Sequence, residues 1–176
     1  ENTKELKIPR TTTTGMTLSD QADYGPRVSP VSGRGVFHPG VDFNKGNTGV
    51  DHTATPLYAV LDGKVSVTGN SPTWGKFVIL KHGPYYDIVS GDGRTLKGAT
   101  LYTIYAHLDR PTVKAKQSVK QGAQVAISDN SGRSTGPHLH FEVIFTKSGF
   151  RGFNSAPRTD PVIFFNSKFL RNKTKL

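Results

Sequence analysis

The chain has 176 residues, with 23 lysines and arginines against 13 aspartates and glutamates, giving a formal net charge of +10 at pH 7. That length suits one domain with a sizeable core, and no apolar run approaches the length of a membrane-crossing helix. The absence of cysteine excludes thiolate metal sites, thiol nucleophiles and disulfides.

Glycine (19) and proline (11) are plentiful and apolar runs are short, so many turns between short strands are expected. The positive charge asks for a polyanionic partner, with nucleic acid, an acidic cell wall and an anionic membrane surface as the candidates, or else a solubilising surface. Much of it sits in Lys114, Lys116 and Lys120 and in the terminal run Lys168, Arg171, Lys173 and Lys175. No recognition helix or interleaved aromatic–basic platform stands out, which argues against nucleic acid. The chain starts at Glu1, which suggests a processed product or an excised piece, with any signal segment lying outside it.

Residues 1–23, with Thr11 to Thr14 and little apolar periodicity, read as an extended arm or linker. The packed domain is expected to begin near Tyr24-Gly25-Pro26-Arg27. The first chemically dense stretch is Gly35-Val36-Phe37-His38-Pro39-Gly40-Val41-Asp42-Phe43. Pro39-Gly40 rules out a regular helix. A turn entering a strand can still bring His38 and Asp42 inward as a nitrogen and an oxygen ligand. On their own they are equally an ordinary loop histidine and a turn-capping aspartate.

From Pro56 to His82 the pattern is strongly β: Leu57–Val60, Gly63–Thr68 and Lys76–Lys81 read as strands, with turns at Asp62-Gly63 and Trp74-Gly75. Residues 83–98 form a polar, turn-rich excursion, expected as a hairpin loop standing off the sheet. Leu101 to Leu108 is a strand carrying His107, which alone would be a satisfied core histidine. Val119 to Ile127 gives two short strands about Gly122. Asp160 to Phe165 closes the domain as a short helix or strand, and 166–176 is a basic tail.

Between Ile127 and Asp160 lies Gly136-Pro137-His138-Leu139-His140-Phe141-Glu142-Val143. After the Gly-Pro turn, His138, His140 and Glu142 alternate with Leu139, Phe141 and Val143. The two histidines therefore share one strand face, about 6–7 Å apart along the chain. Such a face can hold zinc or be merely polar. His52 and His82 lack companions and read as surface or loop histidines, and Asp51 beside His52 has no third ligand. Glu142 has the parity to support an imidazole or to form a surface ion pair. Arg27 can brace the metal loop or touch substrate.

Taken in order, His38-x-x-x-Asp42, Tyr105-Ala106-His107-Leu108 and Gly136-Pro137-His138-Leu139-His140-Phe141-Glu142 resemble the motifs of lysostaphin/LytM-type zinc metallopeptidases, peptidase family M23. Tyr24-Gly25-Pro26-Arg27, Asp62-Gly63-Lys64-Val65 and Val119-Lys120-Gln121-Gly122 match its frame, and the resemblance spans 24–165. It implies a mainly β, antiparallel, sandwich-like LytM (duplicated hybrid motif) fold with a central groove and few helices. It also implies one zinc ion held by His38, Asp42 and His140, with His107 and His138 as the catalytic pair. The implied activity is hydrolysis of peptide bonds in bacterial peptidoglycan, in cross-links or stems, by zinc-activated water. Two nitrogens and one carboxylate suit that chemistry, because they leave a position open for the water. The alternatives are a non-enzymatic LytM-like module that binds or activates another wall hydrolase, and a metallopeptidase acting on glycine-rich proteins. The resemblance further implies a monomer at or outside the cell envelope (periplasmic, wall-associated, extracellular or phage-borne), with anionic wall polymers as a second partner of the basic surface.

Overall fold

Short runs rich in Val, Ile, Tyr and Phe, broken by Gly and Asp turns, fold as the sequence pattern requires, into strands. The structure is a computed structural model and describes residues 4–5, 17–18, 24–44, 54–83, 87–89, 95–98, 100–146, 158–161 and 168–170. In chain order the strands are β1 (Lys4–Glu5), β2 (Thr17–Leu18), β3 (Gly25–Val28), β4 (Gly35–His38), β5 (Val41–Asn44), β6 (Pro56–Tyr58), β7 (Gly63–Ser71) and β8 (Gly75–His82). They continue as β9 (Asp87–Val89), β10 (Thr95–Lys97), β11 (Thr100–Pro111), β12 (Ser118–Val119), β13 (Gln124–Ser128), β14 (Leu139–Thr146), β15 (Arg158–Thr159) and β16 (Lys168–Leu170). The fold is the mainly antiparallel β architecture implied by the motifs.

The principal sheet has ten strands in the order β12-β7-β8-β11-β14-β5-β2, with β13 pairing β11 and β6, and β15 pairing β14. β11 is its spine, flanked by β8 and β14. Leu101, Tyr105 and Leu108 face the larger core with Val78, Leu80, Phe141 and Val143. Tyr102, Ile104 and Ala106 face a smaller cluster with Phe77, Ile79, Ile144 and Trp74. Burial on both faces is why residues 101–108 read as a mostly apolar run, interrupted by Thr103 and His107. The fully buried Tyr105 ring fills the larger core, and its hydroxyl donates to Tyr58 O and accepts from Val60 N, both at 3.1 Å.

The segment 83–98 carries the hairpin β9–β10, which lies apart from the principal sheet in a four-stranded one ordered β1-β16-β9-β10. β2, inside the N-terminal stretch, pairs with β5. The two strands expected around Gly122 are present but do not pair with each other: β12 pairs β7, and β13 pairs β11 and β6. The remainder of the arm 1–23, most of the tail 166–176, and the segment 162–165 lie outside the described residues.

His82 is not a surface or loop histidine. It shares the parity of Val78 and Leu80 and is fully buried. Its Nδ1–H donates to Asp62 O at 3.0 Å and its Nε2 accepts from Thr103 Oγ1 at 2.8 Å, so both ring nitrogens are satisfied inside the core.

Gly40 joins β4 to β5 where the chain passes over β14. A Cβ there would lie 2.4 Å from Phe141 O and 2.9 Å from Glu142 Cγ, too close for any side chain. Gly40→Ala is expected to lower stability by about 1–3 kcal/mol, the usual range for overpacking. Urea denaturation would show this, and an unchanged midpoint would contradict the close approach.

Candidate active site and metal centre

The centre is built on one cross-strand pair. β5 and β14 are antiparallel neighbours in a register that sets Asp42 opposite His140, and residues directly opposite share a face. His140 Nδ1 lies 2.8 Å from Asp42 Oδ1. His38, at the end of β4, is returned to the same point by the Pro39-Gly40 turn. Its Nε2 is 3.1 Å from His140 Nδ1 and 3.2 Å from Asp42 Oδ1. The three ligand atoms all lie within 4.8 Å of one another, and all three side chains are buried. Two imidazole nitrogens and one carboxylate oxygen converging in this way can hold a divalent metal ion.

Each carboxylate oxygen has a defined partner. Asp42 Oδ2 accepts from Arg27 Nη1 at 3.0 Å, which leaves Oδ1 for the histidines. On the far side of His140, Nε2 lies 3.0 Å from Glu142 Oε1, and Glu142 Oε2 accepts from Arg158 Nε at 3.1 Å. Glu142 has no exposed surface at all, so a paired cation is what makes a charged carboxylate tolerable there.

His107 arrives by breaking the rules of its strand. Regular alternation would aim it at the larger core beside Tyr105. Instead its backbone is left-handed, with φ of 60°, and the pairing with β8 shifts register between Tyr105 and Leu108. That bulge swings the ring to the site face while Leu108 returns to the core. The ring centroid lies 4.7 Å from that of His138 and 5.7 Å from that of His140. Backbone bonds tie the region together: His107 N donates to Trp74 O, Asp129 N to His107 O, and His138 N to Asp129 O.

The loop carrying Ser131 fixes the His107 ring. Nδ1–H donates to Ser131 O at 2.8 Å, leaving Nε2 as the ring's acceptor. Ser131 is held in turn through its hydroxyl, which accepts from Lys76 N and donates to Leu108 O. Gly75, at φ of 58°, admits this loop to contact, since a Cβ there would sit 2.3 Å from the Ser131 carbonyl carbon. His138 is anchored similarly: Nδ1–H donates to Gly136 O at 2.8 Å, and Nε2 lies 3.5 Å from Asp42 Oδ1.

The electrostatics follow from these contacts. Burial alone would raise the Asp42 pKa, but hydrogen bonds from His138, His140 and His38 outweigh it and hold the carboxyl well below the usual range. Burial pushes the His107 pKa down to about 4, helped by His138 and opposed by the Ser131 carbonyl, so the ring is neutral at neutral pH. For His140 burial also acts downward, yet the hydrogen bonds to Asp42 and Glu142 win and lift it to about 9.

All five residues singled out from the sequence (His38, Asp42, His107, His138 and His140) therefore meet in one place. Asp51 and His52 lie outside the described residues. Arg27 and Glu142, weighed from sequence as supports rather than as ligands, contact Asp42 and His140, and Arg158, which was not singled out, contacts Glu142. The parity of Glu142 was a visible signal. Arg158 gives none, because it reaches Glu142 only through the pairing of β15 with β14.

The fold is antiparallel β with a His-Asp-His cluster that can hold a metal ion, and the chain belongs to peptidase family M23, whose model matches residues 36–151. It is 37% identical over 118 residues to the peptidoglycan DD-endopeptidase ShyB of Vibrio cholerae, covering 67% of this chain and 23% of that protein. The peptidoglycan DD-endopeptidase ShyA of the same organism is 36% identical over 124 residues, covering 70% and 24%. The chain thus spans about a quarter of the length of these relatives. Among solved structures, a zinc-containing peptidase from Vibrio cholerae aligns with a TM-score of 0.64 at 28% identity, over 91% of this chain and 40% of that one. The catalytic domain of lysostaphin from Staphylococcus simulans aligns at 0.58 and 30% identity, over 81% and 88%.

A metal ion held by this cluster would need the Nδ1 lone pair of His140, whose ring carries an extra proton below about pH 9. Metal uptake at pH 7 is therefore expected to release a proton, with affinity rising as pH climbs towards about 9 and levelling beyond it. Calorimetric titration in buffers of different ionisation enthalpy checks this, and a buffer-independent heat would contradict it.

Proposed function

We propose that the chain is a zinc-dependent endopeptidase acting on peptide bonds of bacterial peptidoglycan, in cross-links or stems. The names of the ShyA and ShyB relatives favour a DD bond as the one cleaved. The observation that carries this reading is a His-Asp-His ligand set flanked by two histidines whose Nδ1 atoms are both anchored on backbone carbonyls. The donor set suits zinc: two borderline nitrogens and one hard oxygen, with no thiolate. His38 Nε2, Asp42 Oδ1 and His140 Nδ1 would hold a single ion.

When bound, the zinc supplies Lewis acidity towards a water molecule and the scissile carbonyl. His107, neutral and with Nε2 as its acceptor, takes the proton of the attacking water and returns it to the departing amine. His138, when it carries a proton on Nε2, donates to the oxygen that gains negative charge. Both rings are turned by their carbonyl anchors, so neither must be reoriented for its part. Every group comes from one chain, so a monomer suffices. The peptidase unit is taken as 24–165, with 1–23 as an arm and 166–176 as a basic tail.

The setting is the cell wall, in the periplasm or outside the cell. Lys64 and Lys81 stand directly opposite each other on β7 and β8, with exposed Lys116 and Lys120 on the adjoining segment. Like charges placed opposite repel, and an anionic wall polymer would relieve that repulsion.

The test is release of peptides and new amino termini from purified peptidoglycan sacculi. Release with zinc, none with chelator, and neither zinc nor activity in His140→Ala are the expected results. His107→Ala and His138→Ala should keep zinc and lose roughly 10²–10⁴-fold in turnover; activity equal to the parent in either one would dismiss that role. Absence of release despite stoichiometric zinc would move the substrate to a protein. Zinc-free protein would favour a non-enzymatic module. The polymer contact has its own readout: raising salt should slow release from sacculi while leaving cleavage of a short soluble cross-linked peptide unchanged.

A further inference from the structure

We propose that Arg27 and Arg158 are positioning residues that form one cross-tied cationic clamp around the metal centre, fixing Asp42 and Glu142 on opposite sides of His140. Both lie outside the segment 36–151 that matches the family model. The proposal rests on the zinc reading above and concerns how the ligands are held for the ion.

Asp42 offers two oxygens. Arg27 Nη1 occupies Oδ2 at 3.0 Å, and Oδ1 alone faces His38, His138 and His140, at 3.2, 3.5 and 2.8 Å. The arginine thus decides that Asp42 presents a single oxygen to the ligand cluster. Glu142 is treated in the same way from the other side: Arg158 Nε takes Oε2 at 3.1 Å, and Oε1 is left for His140 Nε2 at 3.0 Å. Both ring nitrogens of His140 point at carboxylates, which can only accept, so both donate in this arrangement; a metal ion would take the place of the Nδ1 proton, with Nε2 left donating to Glu142. His140 is therefore gripped between two carboxylates, each aimed by its own arginine.

The two arms are tied to each other. Tyr24 immediately precedes β3, which carries Arg27, and its hydroxyl donates to Arg158 O at 3.3 Å. Arg158 is set by the pairing of β15 against Ile144, and its guanidinium lies 6.0 Å from the centroid of the Trp74 ring. The segments carrying the two arginines are thus joined by a hydrogen bond from Tyr24 to Arg158.

The experiment measures zinc affinity by chelator competition, together with kcat, KM and melting temperature, for Arg27→Gln, Arg27→Lys, Arg158→Gln and Arg158→Lys. The glutamine variants are expected to bind zinc about 10–100-fold more weakly. The lysine variants should recover part of that loss, and at saturating zinc kcat should fall more than KM rises. Zinc affinity within threefold of the parent in folded glutamine variants overturns the proposal. So does an equal loss in the glutamine and lysine variants, which would mark simple packing. Should Arg158→Gln fail to fold, Arg27→Gln decides: weaker zinc binding supports the clamp, and binding within threefold of the parent overturns it. A parent that takes up no zinc removes the zinc reading and the clamp together, whereas a zinc-binding parent with unaffected variants removes the clamp alone.

Discussion

The centre depends on the register of β5 against β14. Leu139, Phe141 and Val143 are committed to the larger core, so His140 and Glu142 must face the other way. A slip of one residue would turn two ionisable side chains into the apolar core beside Tyr105 and Leu101 and three large apolar ones onto the polar cluster. The hydrophobic core thus enforces the ligand geometry from behind. Asp42 meets His140 because Phe43 and Val41 are claimed by the same core, and Gly40 lets the connecting chain cross without collision.

His107 and His138 are placed by a different device. Neither depends on a regular strand position; both hang on backbone-to-backbone bonds running from Trp74 through His107 and Asp129 to His138. The loop at Ser131 closes against Gly75 in a contact that admits no side chain. A rigid ligand face and a separately tied pair of histidines are brought within ring-contact distance. This division makes it physically sensible that loss of one histidine from the pair leaves the ligand set intact.

Much of this was legible in the sequence. Period-two alternation placed His140 and Glu142 on one face of β14, and most strands follow their apolar runs. The five residues that meet at the cluster were singled out because three separate motifs occur in order. What stayed hidden is what strand pairing alone creates. His107 on parity points into the core, and only the bulge at its left-handed backbone turns it outward. His82 looked peripheral because its satisfying partners, Asp62 O and Thr103, are 20 and 21 residues away. Arg158 meets Glu142 through an edge strand 16 residues on, and no local pattern announces such a contact.

The left-handed backbone at position 107 also limits how this fold can change over evolutionary time. Branched and bulky side chains are poorly tolerated there, whereas asparagine, aspartate and histidine are the non-glycine residues that adopt it most readily. The site chemistry and the backbone therefore select overlapping residue sets. Under the role proposed for His107, asparagine lies inside the backbone's set but outside the chemistry's, since its amide lacks a basic nitrogen lone pair. It is the replacement that would remove the ring nitrogen while leaving the backbone of the bulge and the cluster of His38, Asp42 and His140 in place.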